Sequence, residues 1–325
     1  MARGRASVAA LVALAGCQLV FPLRDRDGDA GIADGLPGGD GSAADQDADT
    51  VPDTSDNCPK IANVTQEDDD GDGIGDVCDN CPGIANPLQE NTTDATSFED
   101  EIGDACDPRP DSVDCLVLFE GFNDPSRFLS TWQQIGGASD PVSFPNASSI
   151  AISVPANASN LPIAWKTIAP AVQGAPDILL QGRLTASAAT TLYVGVAEGL
   201  STSDSGYQCV LIPNTSVDIV RVFPGTVGIL ANATFMGSPT DNRLAIVFRH
   251  KAPSLAPAND PLSCSIRLGG AGTDAVGTDT AASRPAGGVG FVVKSGDTPF
   301  VLEIDSITLY EQGTSSTCST TPVIR

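Results

Sequence analysis

The sequence predicts an all-β fold, a β-sandwich, for the part of the chain that follows residue 114. Apolar and polar residues alternate there in short runs, at roughly ten-residue spacing with turn residues between them, which is typical of half-buried strands. No stretch between the runs has the length and period of a substantial helix. The number of runs favours a sandwich. They are Ile150–Val154, Leu161–Ile168, Ile178–Leu184, Thr191–Ala197, Tyr207–Ile212, Val217–Phe223, Val227–Ala231, Leu244–Arg249, Cys264–Leu268, Val289–Lys294 and Phe300–Tyr310.

Composition restricts the function and the compartment. The chain has 325 residues and a net charge of −24, so it lacks the basic face that binding of nucleic-acid phosphates requires. Its single histidine excludes a His-rich zinc or iron centre, and its nine cysteines favour an oxidising, extracytoplasmic compartment. Between Asp40 and Asp111 lie 21 of the 41 acidic residues, and this block has no apolar runs. We therefore expect residues 41–110 to form a separate segment, with a boundary at Pro108–Asp114.

The first residues have the pattern of a targeting signal. A basic start, Met1–Arg5, precedes an apolar stretch that is too short to span a bilayer. Leu14-Ala-Gly-Cys17 follows and resembles the lipobox of bacterial lipoproteins, which implies that residues 1–16 are cleaved and that Cys17 carries the lipid. An ordinary secretory signal is the alternative. The resemblance implies a lipid-anchored, extracytoplasmic protein at the outer membrane or cell surface, and residues 17–40 are expected to be a flexible tether.

Two acidic stretches have the ligand spacing of calcium loops. In Asp45–Asp56 and Asp68–Asp79, aspartates occupy positions 1, 3, 5, 9 and 12 of twelve. Calcium takes roughly six to eight oxygen ligands, and carboxylates at alternate positions of a tight loop converge on one point. The alternatives are a solvated acidic linker and an EF-hand, but no amphipathic helix flanks either loop. The expected calcium ligands, with the carbonyl groups at position 7, are Asp45, Asp47, Asp49, Val51, Asp53, Asp56, Asp68, Asp70, Asp72, Ile74, Asp76 and Asp79.

The residues around these loops resemble the thrombospondin type 3 repeat over residues 45–107. Asp-Asn-Cys-Pro follows both loops, at Asp56–Pro59 and Asp79–Pro82, and asparagine and glutamine recur at the same spacing. In that family the loops wrap calcium ions, and disulfides replace most of a hydrophobic core. The resemblance implies two disulfides, Cys58–Cys78 and Cys81–Cys106.

The copies are not equivalent. Gly73 permits a sharp turn in the second loop, whereas Thr50 stands at that position in the first loop and is expected to weaken it. A third copy continues to Asp107 but has Thr96 and Phe98 at positions 1 and 3, so we expect weaker calcium binding there or none. The aspartates that begin at Asp25 are interpreted as linker.

The ends of the predicted sandwich resemble the first and last strands of a concanavalin A-like jelly roll. The resemblance rests on Leu118–Trp132, Gly288–Phe291 and Phe300–Tyr310, covers residues 115–312 and leaves residues 313–325 as a tail. The remaining cysteines are expected to pair as Cys115–Cys318 and Cys209–Cys264, although the sequence alone permits other pairings. Lectins, glycosidases and adhesive modules share this architecture, so the fold names no activity.

The chemistry of the predicted sandwich favours binding over catalysis. Glycosidases of this architecture carry Glu-x-Asp-x-Glu on one strand, and this chain has Glu303, Asp305 and Ile307 at those positions. Since alternate strand residues share a face, the second catalytic carboxylate is missing and we expect no enzyme. His250 has no Gly-x-Ser-x-Gly motif to accompany it.

Aromatic rings are the remaining candidates for sugar binding, although most are expected in the core. They are Trp132, Trp165, Tyr193, Tyr207 and Tyr310. The sequence thus predicts a calcium-binding surface lipoprotein whose jelly-roll head binds a glycan, cell-surface or matrix partner. A glycosidase and a purely structural envelope protein are the alternatives.

Overall fold

The computed structural model describes residues 44–93, 100–136, 142–146, 148–156, 163–167, 176–186, 192–201, 206–223, 226–238, 242–250, 260–279, 288–296, 298–312 and 323–324. Among them, no helix is long and apolar enough to cross a membrane. The elements are β1 (Asp114–Glu120), α1 (Pro125–Thr131), β2 (Trp132–Ile135), β3 (Val142–Asn146), β4 (Ser149–Val154), β5 (Ile163–Thr167), β6 (Pro176–Ala186), β7 (Leu192–Leu200), β8 (Gly206–Ile212), β9 (Ser216–Phe223), β10 (Thr226–Thr234), β11 (Asn242–His250), β12 (Asp260–Leu268), β13 (Ala271–Asp279), β14 (Gly288–Ser295), β15 (Phe300–Gln312) and β16 (Val323–Ile324).

The strands form two sheets that pack face to face, which confirms the predicted all-β sandwich. The nine-stranded sheet has the order β13-β12-β11-β6-β15-β1-β16, and the hairpin β3-β4 joins it through the pairing of β4 with β15. The seven-stranded sheet has the order β10-β9-β8-β7-β14-β5-β2. All pairs are antiparallel except β1 with β16.

The core lies between the sheets and follows from the alternation of the strands. Val194 and Val196 of β7 belong to the same cluster of buried apolar side chains as Ile246 and Phe248 of β11, which lies in the other sheet. Burial of such side chains stabilises each by about 1.5–3 kcal/mol. The disulfide Cys209–Cys264 joins β8 of one sheet to β12 of the other across this core.

The candidate sugar-binding rings are mostly core residues. Trp132, Trp165, Tyr207 and Tyr310 are 1–4% exposed, and Tyr193 is partly buried. These five residues therefore present no exposed row of rings, and the expectation that most of them lie in the core is confirmed.

Strand β13 and helix α1 are among the elements that lie outside the predicted runs. Strand β13 lies at the edge of its sheet, and every second residue of the strand is exposed to solvent. Its sequence, Ala-Gly-Thr-Asp-Ala-Val-Gly-Thr-Asp, contains few large apolar residues, so the alternation of apolar and polar residues is weak there. Helix α1 begins after Asp124, whose carboxylate accepts hydrogen bonds from the backbone N–H groups of Ser126 (2.8 Å) and Arg127 (3.2 Å).

The acidic repeats pack on the sandwich. The described residues between 44 and 113 contain no helix or strand, and the disulfides Cys58–Cys78 and Cys81–Cys106 join the cysteines expected from the repeat resemblance. The second bridge packs with Ile102 against Tyr310 of β15. Residues Ala43–Arg325 form one compact unit, which contains both the repeats and the sandwich.

Candidate metal centre

Two groups of three aspartates converge in the repeats. Oxygens of Asp45, Asp47 and Asp49 lie within 4.8 Å of one another, and the same holds for their counterparts at positions 1, 3 and 5 of the second loop, Asp68–Asp72. The two loops are thus copies in three dimensions, as their spacing predicted.

Hydrogen bonds from the backbone to the first aspartate shape each loop. Asp45 accepts from the N–H groups of Ala48 (2.8 Å) and Thr50 (3.1 Å). Asp68 accepts from the N–H groups at the same positions of the second loop, Gly71 (2.9 Å) and Gly73 (3.0 Å). Aspartate folds the chain back on itself in this way because its short carboxylate reaches nearby backbone donors.

The loops differ in backbone strain. Ala48 and Thr50 have φ angles of +65° and +82°, and the second loop has glycines there with φ of +75° and +97°. A residue with a Cβ in this left-handed region costs about 1–2 kcal/mol, and a β-branched residue such as Thr50 is the less suited of the two. The expectation that Thr50 disfavours the first loop now has a geometric cause, and Ala48 adds to it.

A second set of hydrogen bonds ties each loop to the next copy. Asp49 accepts from the N–H of Asn63 (2.8 Å), and Asp72 accepts from the equivalent N–H of Asn86 (2.7 Å). The glutamine of each copy donates to the position-12 aspartate, as Gln66 does to Asp56 (2.8 Å). Polar contacts and disulfides therefore replace a hydrophobic core in the repeats.

Several buried carboxylate oxygens in the loops have no hydrogen-bond partner. They are one oxygen each of Asp47 and Asp56 in the first loop, and of Asp69, Asp70 and Asp76 in the second. Burial first, and then Asp79 and Asp72, raises the pKa of Asp70 to about 6; burial raises that of Asp76 to about 7. These carboxylate oxygens lie among other negative charges and lack hydrogen-bond donors. A cation that prefers oxygen ligands, such as calcium, would satisfy them, so the residues present fit calcium.

The other residues predicted to bind calcium make hydrogen bonds that stabilise the two loops. Asp53 and Asp76, at position 9, accept from the N–H groups at position 2, at 2.8 and 2.9 Å. Asp79 accepts from the N–H of Cys81 at 2.7 Å. The N–H groups of Val51 and Ile74 donate to the position-5 aspartates, at 2.7 and 2.8 Å.

The third copy brings together a different set of acids. Oxygens of Asp100, Asp107 and Asp114 lie within 4.8 Å of one another, but Arg109 contacts Asp114 and also pairs with Asp177 of β6 at 2.7 Å. A guanidinium group thus supplies positive charge here. Thr96 and Phe98 lie outside the described residues.

Asp69 is a contact residue that the sequence did not reveal. It stands at position 2 of the second loop, where no ligand is expected, and a Cβ built on Gly121 would lie 1.5 Å from its Oδ2. Burial, and then Asp76, raises the pKa of Asp69 to about 8. Asp69 therefore sits directly against the backbone that follows β1, and only a glycine leaves it room.

Glu303 and Ile307 lie on opposite faces of strand β15. A β-bulge lies between Ile304 and Ser306 where β15 pairs with β6. Ile307 is fully buried in the core between the sheets, whereas Glu303 accepts a hydrogen bond from Ser149 (2.9 Å) on the other face. The expectation that Glu303 and Ile307 share a face is wrong, because the bulge breaks the two-residue period.

Three residues considered in the sequence analysis lie wholly or partly outside the described part of the chain. Cys17 and Cys318 lie outside the described residues, as does the side chain of His250. Cys115 forms a disulfide, as the predicted Cys115–Cys318 pair requires. The cysteine before it in the sequence, Cys106, is not its partner, because Cys106 is bonded to Cys81.

Solved structures similar to this chain are β-sandwich domains. A VIP36 exoplasmic/lumenal domain in its Ca²⁺/Man2-bound form has 10% identity and a TM-score of 0.42, with 63% of this chain and 90% of that chain covered. The potassium-bound Emp46p carbohydrate recognition domain has 14% identity and a TM-score of 0.42, covering 60% and 96%. Carbohydrate binding module CBM66 from Bacillus subtilis has 9% identity and a TM-score of 0.31, covering 56% and 92%.

No curated protein sequence matches this chain. The family model for the thrombospondin type 3 repeat matches residues 24–66 and 65–89. The match begins within the segment expected to be a tether, and it ends inside the third copy, before the loop positions 96–107 of that copy. The acidic segment of this chain thus contains thrombospondin type 3 repeats.

Proposed function

We propose that the two loops bind calcium and that the bound calcium holds the repeats in the conformation that packs on the sandwich. The observation that carries this proposal is the set of buried carboxylate oxygens without partners in both loops. Without a cation these carboxylates repel one another, and the described repeat residues offer few apolar contacts to oppose that repulsion. Calcium binding would then supply folding free energy to this segment.

The donor set favours calcium over softer metals. The grouped ligands of both loops are carboxylates, the hard oxygen donors that calcium prefers. The nearest sulfur atoms belong to cysteines that are joined in disulfides and are not thiolate ligands. Zinc and copper sites built on thiolate or imidazole therefore have no counterpart among the described repeat residues.

Limited proteolysis of the full chain tests this proposal. In calcium, residues 44–93 should resist cleavage; in a chelator, cleavage should begin there and leave the sandwich intact. Asp70→Asn should cause the same sensitivity in calcium, because it removes one carboxylate ligand of calcium from the second loop. Asp274→Asn is the matched control, since Asp274 is an exposed acid of β13 outside the repeats. Equal resistance with and without calcium would contradict the proposal.

The protein as a whole is proposed to act as a lipid-anchored, extracytoplasmic recognition protein at the outer membrane or cell surface. Oxidised cysteines in the repeats and in the sandwich support an oxidising compartment. The sandwich is proposed to bind a glycan, a cell-surface partner or a matrix partner without catalysis. Cys17→Ser should release the protein from the membrane fraction; unchanged membrane association would refute the anchor.

A further inference from the structure

A cavity of about 560 Å³ lies between the second repeat and the outer face of the nine-stranded sheet. Its volume falls within the roughly 300–1,000 Å³ typical of small-molecule sites. Seven polar side chains of the sheet line it: Asn146 of β3, Gln181 and Arg183 of β6, Arg243 of β11, and Glu303, Asp305 and Ser306 of β15. Asp69 and Asp70 of the second loop face them across the cavity.

Strand register explains why these side chains meet. Glu303 pairs with Arg183 across β15 and β6, and Arg183 pairs with Arg243 across β6 and β11, so one row crosses three strands. Ser306 pairs with Gln181, and its hydroxyl lies 3.2 Å from the glutamine oxygen. Glu303 and Asp305 share this face by the ordinary alternation of a strand. The bulge between Ile304 and Ser306 adds Ser306 to the same face and turns Ile307 into the core.

The lining determines the chemistry of a ligand. Guanidinium donors and carboxylate acceptors stand side by side, and such a row matches hydroxyl groups that donate and accept at once. On the sheet side, the two carboxylates of Glu303 and Asp305 balance the two guanidinium groups of Arg183 and Arg243, so the sheet favours neither a strongly anionic nor a strongly cationic ligand. Among the residues that the structure describes, no aromatic ring lines the cavity, which disfavours a flat apolar ligand.

The geometry points to a binding site for an uncharged saccharide between the second calcium loop and the sheet. This inference rests on the proposed calcium binding, because Asp70 belongs both to the loop and to the wall of the cavity. It assigns the proposed recognition function to a particular surface. Removal of calcium would take away one wall of the site and weaken saccharide binding.

Isothermal titration of the full chain with a panel of neutral mono- and disaccharides tests the inference. At least one sugar should bind in calcium, and Arg243→Met and Asp305→Asn should each weaken that binding tenfold or more. Arg267→Met and Asp274→Asn are matched controls, since these residues form an exposed pair at 2.8 Å outside the cavity. A separate calcium titration of each variant shows whether a loss of sugar binding has a different origin from a loss of calcium binding.

The outcomes separate the two proposals. Sugar binding that falls in Arg243→Met while calcium binding stays intact supports the site. If calcium binds normally and no sugar in the panel binds, or the sugar affinity is equal in all four variants, the site is refuted and the calcium proposal stands. Binding of inorganic phosphate in preference to every neutral sugar would also refute it.

Discussion

The contact between Asp69 and Gly121 predicts how the repeats are attached to the sandwich. An added Cβ on Gly121 would lie 1.5 Å from Oδ2 and 2.5 Å from Cγ of Asp69. Ordinary contacts between carbon atoms are roughly 3.5 Å long, so the carboxylate would have to move by about 2 Å. Gly121 is not among the residues with positive φ, so an alanine there meets a clash and no backbone strain. We expect Gly121→Ala to lower the free energy of unfolding by about 1–3 kcal/mol.

A double-mutant cycle isolates this contact. In an Asp69→Ala background the added methyl group has room, and the cost of Gly121→Ala should fall to a few tenths of a kcal/mol. The assay is urea unfolding in calcium, with proteolysis of the repeats as a second measurement. Gly228→Ala is the control, because nothing lies within 4 Å of its added Cβ. An equal cost of Gly121→Ala in both backgrounds would refute this attachment.

Three further experiments test other parts of the structure. Thr50→Gly should raise the stability of the first loop by about 1 kcal/mol in urea unfolding, and Gly73→Ala should lower that of the second by a similar amount; opposite signs would exclude backbone strain as the cause. Arg109→Met should cost about 3–5 kcal/mol, because it leaves buried acids without their cation, and Asp114→Asn should recover part of this loss. Reducing Cys209–Cys264, which spans 55 residues, should cost about 4 kcal/mol; an unchanged midpoint would show that the bridge is dispensable.

Much of the repeat geometry could be predicted because it is local. The aspartates, glycines and cysteines make their contacts within one loop or with the next copy. Their spacing in the sequence therefore determines the hydrogen bonds and the disulfide pairs. Thr50 was recognised as unfavourable for the same reason: its position in the loop requires a positive φ that glycine adopts freely.

The sandwich was predictable as a class but not at its site. Strand alternation indicates two buried faces, but a bulge such as the one after Ile304 leaves no clear signal in one sequence. The contact of Asp69 with Gly121 joins residues that are distant in sequence, so neither residue indicates it alone. The cavity follows from both features and was out of reach of sequence reasoning.

Direct measurement of calcium binding tests the central claim. Equilibrium dialysis of the full chain against radioactive calcium should show saturable binding. Asp47→Asn and Asp70→Asn should each remove part of it, and the double variant should lose the binding of both loops, while Asp274→Asn should bind as the unaltered chain does. Absence of saturable binding at millimolar calcium, or unchanged binding in the double variant, would contradict the account.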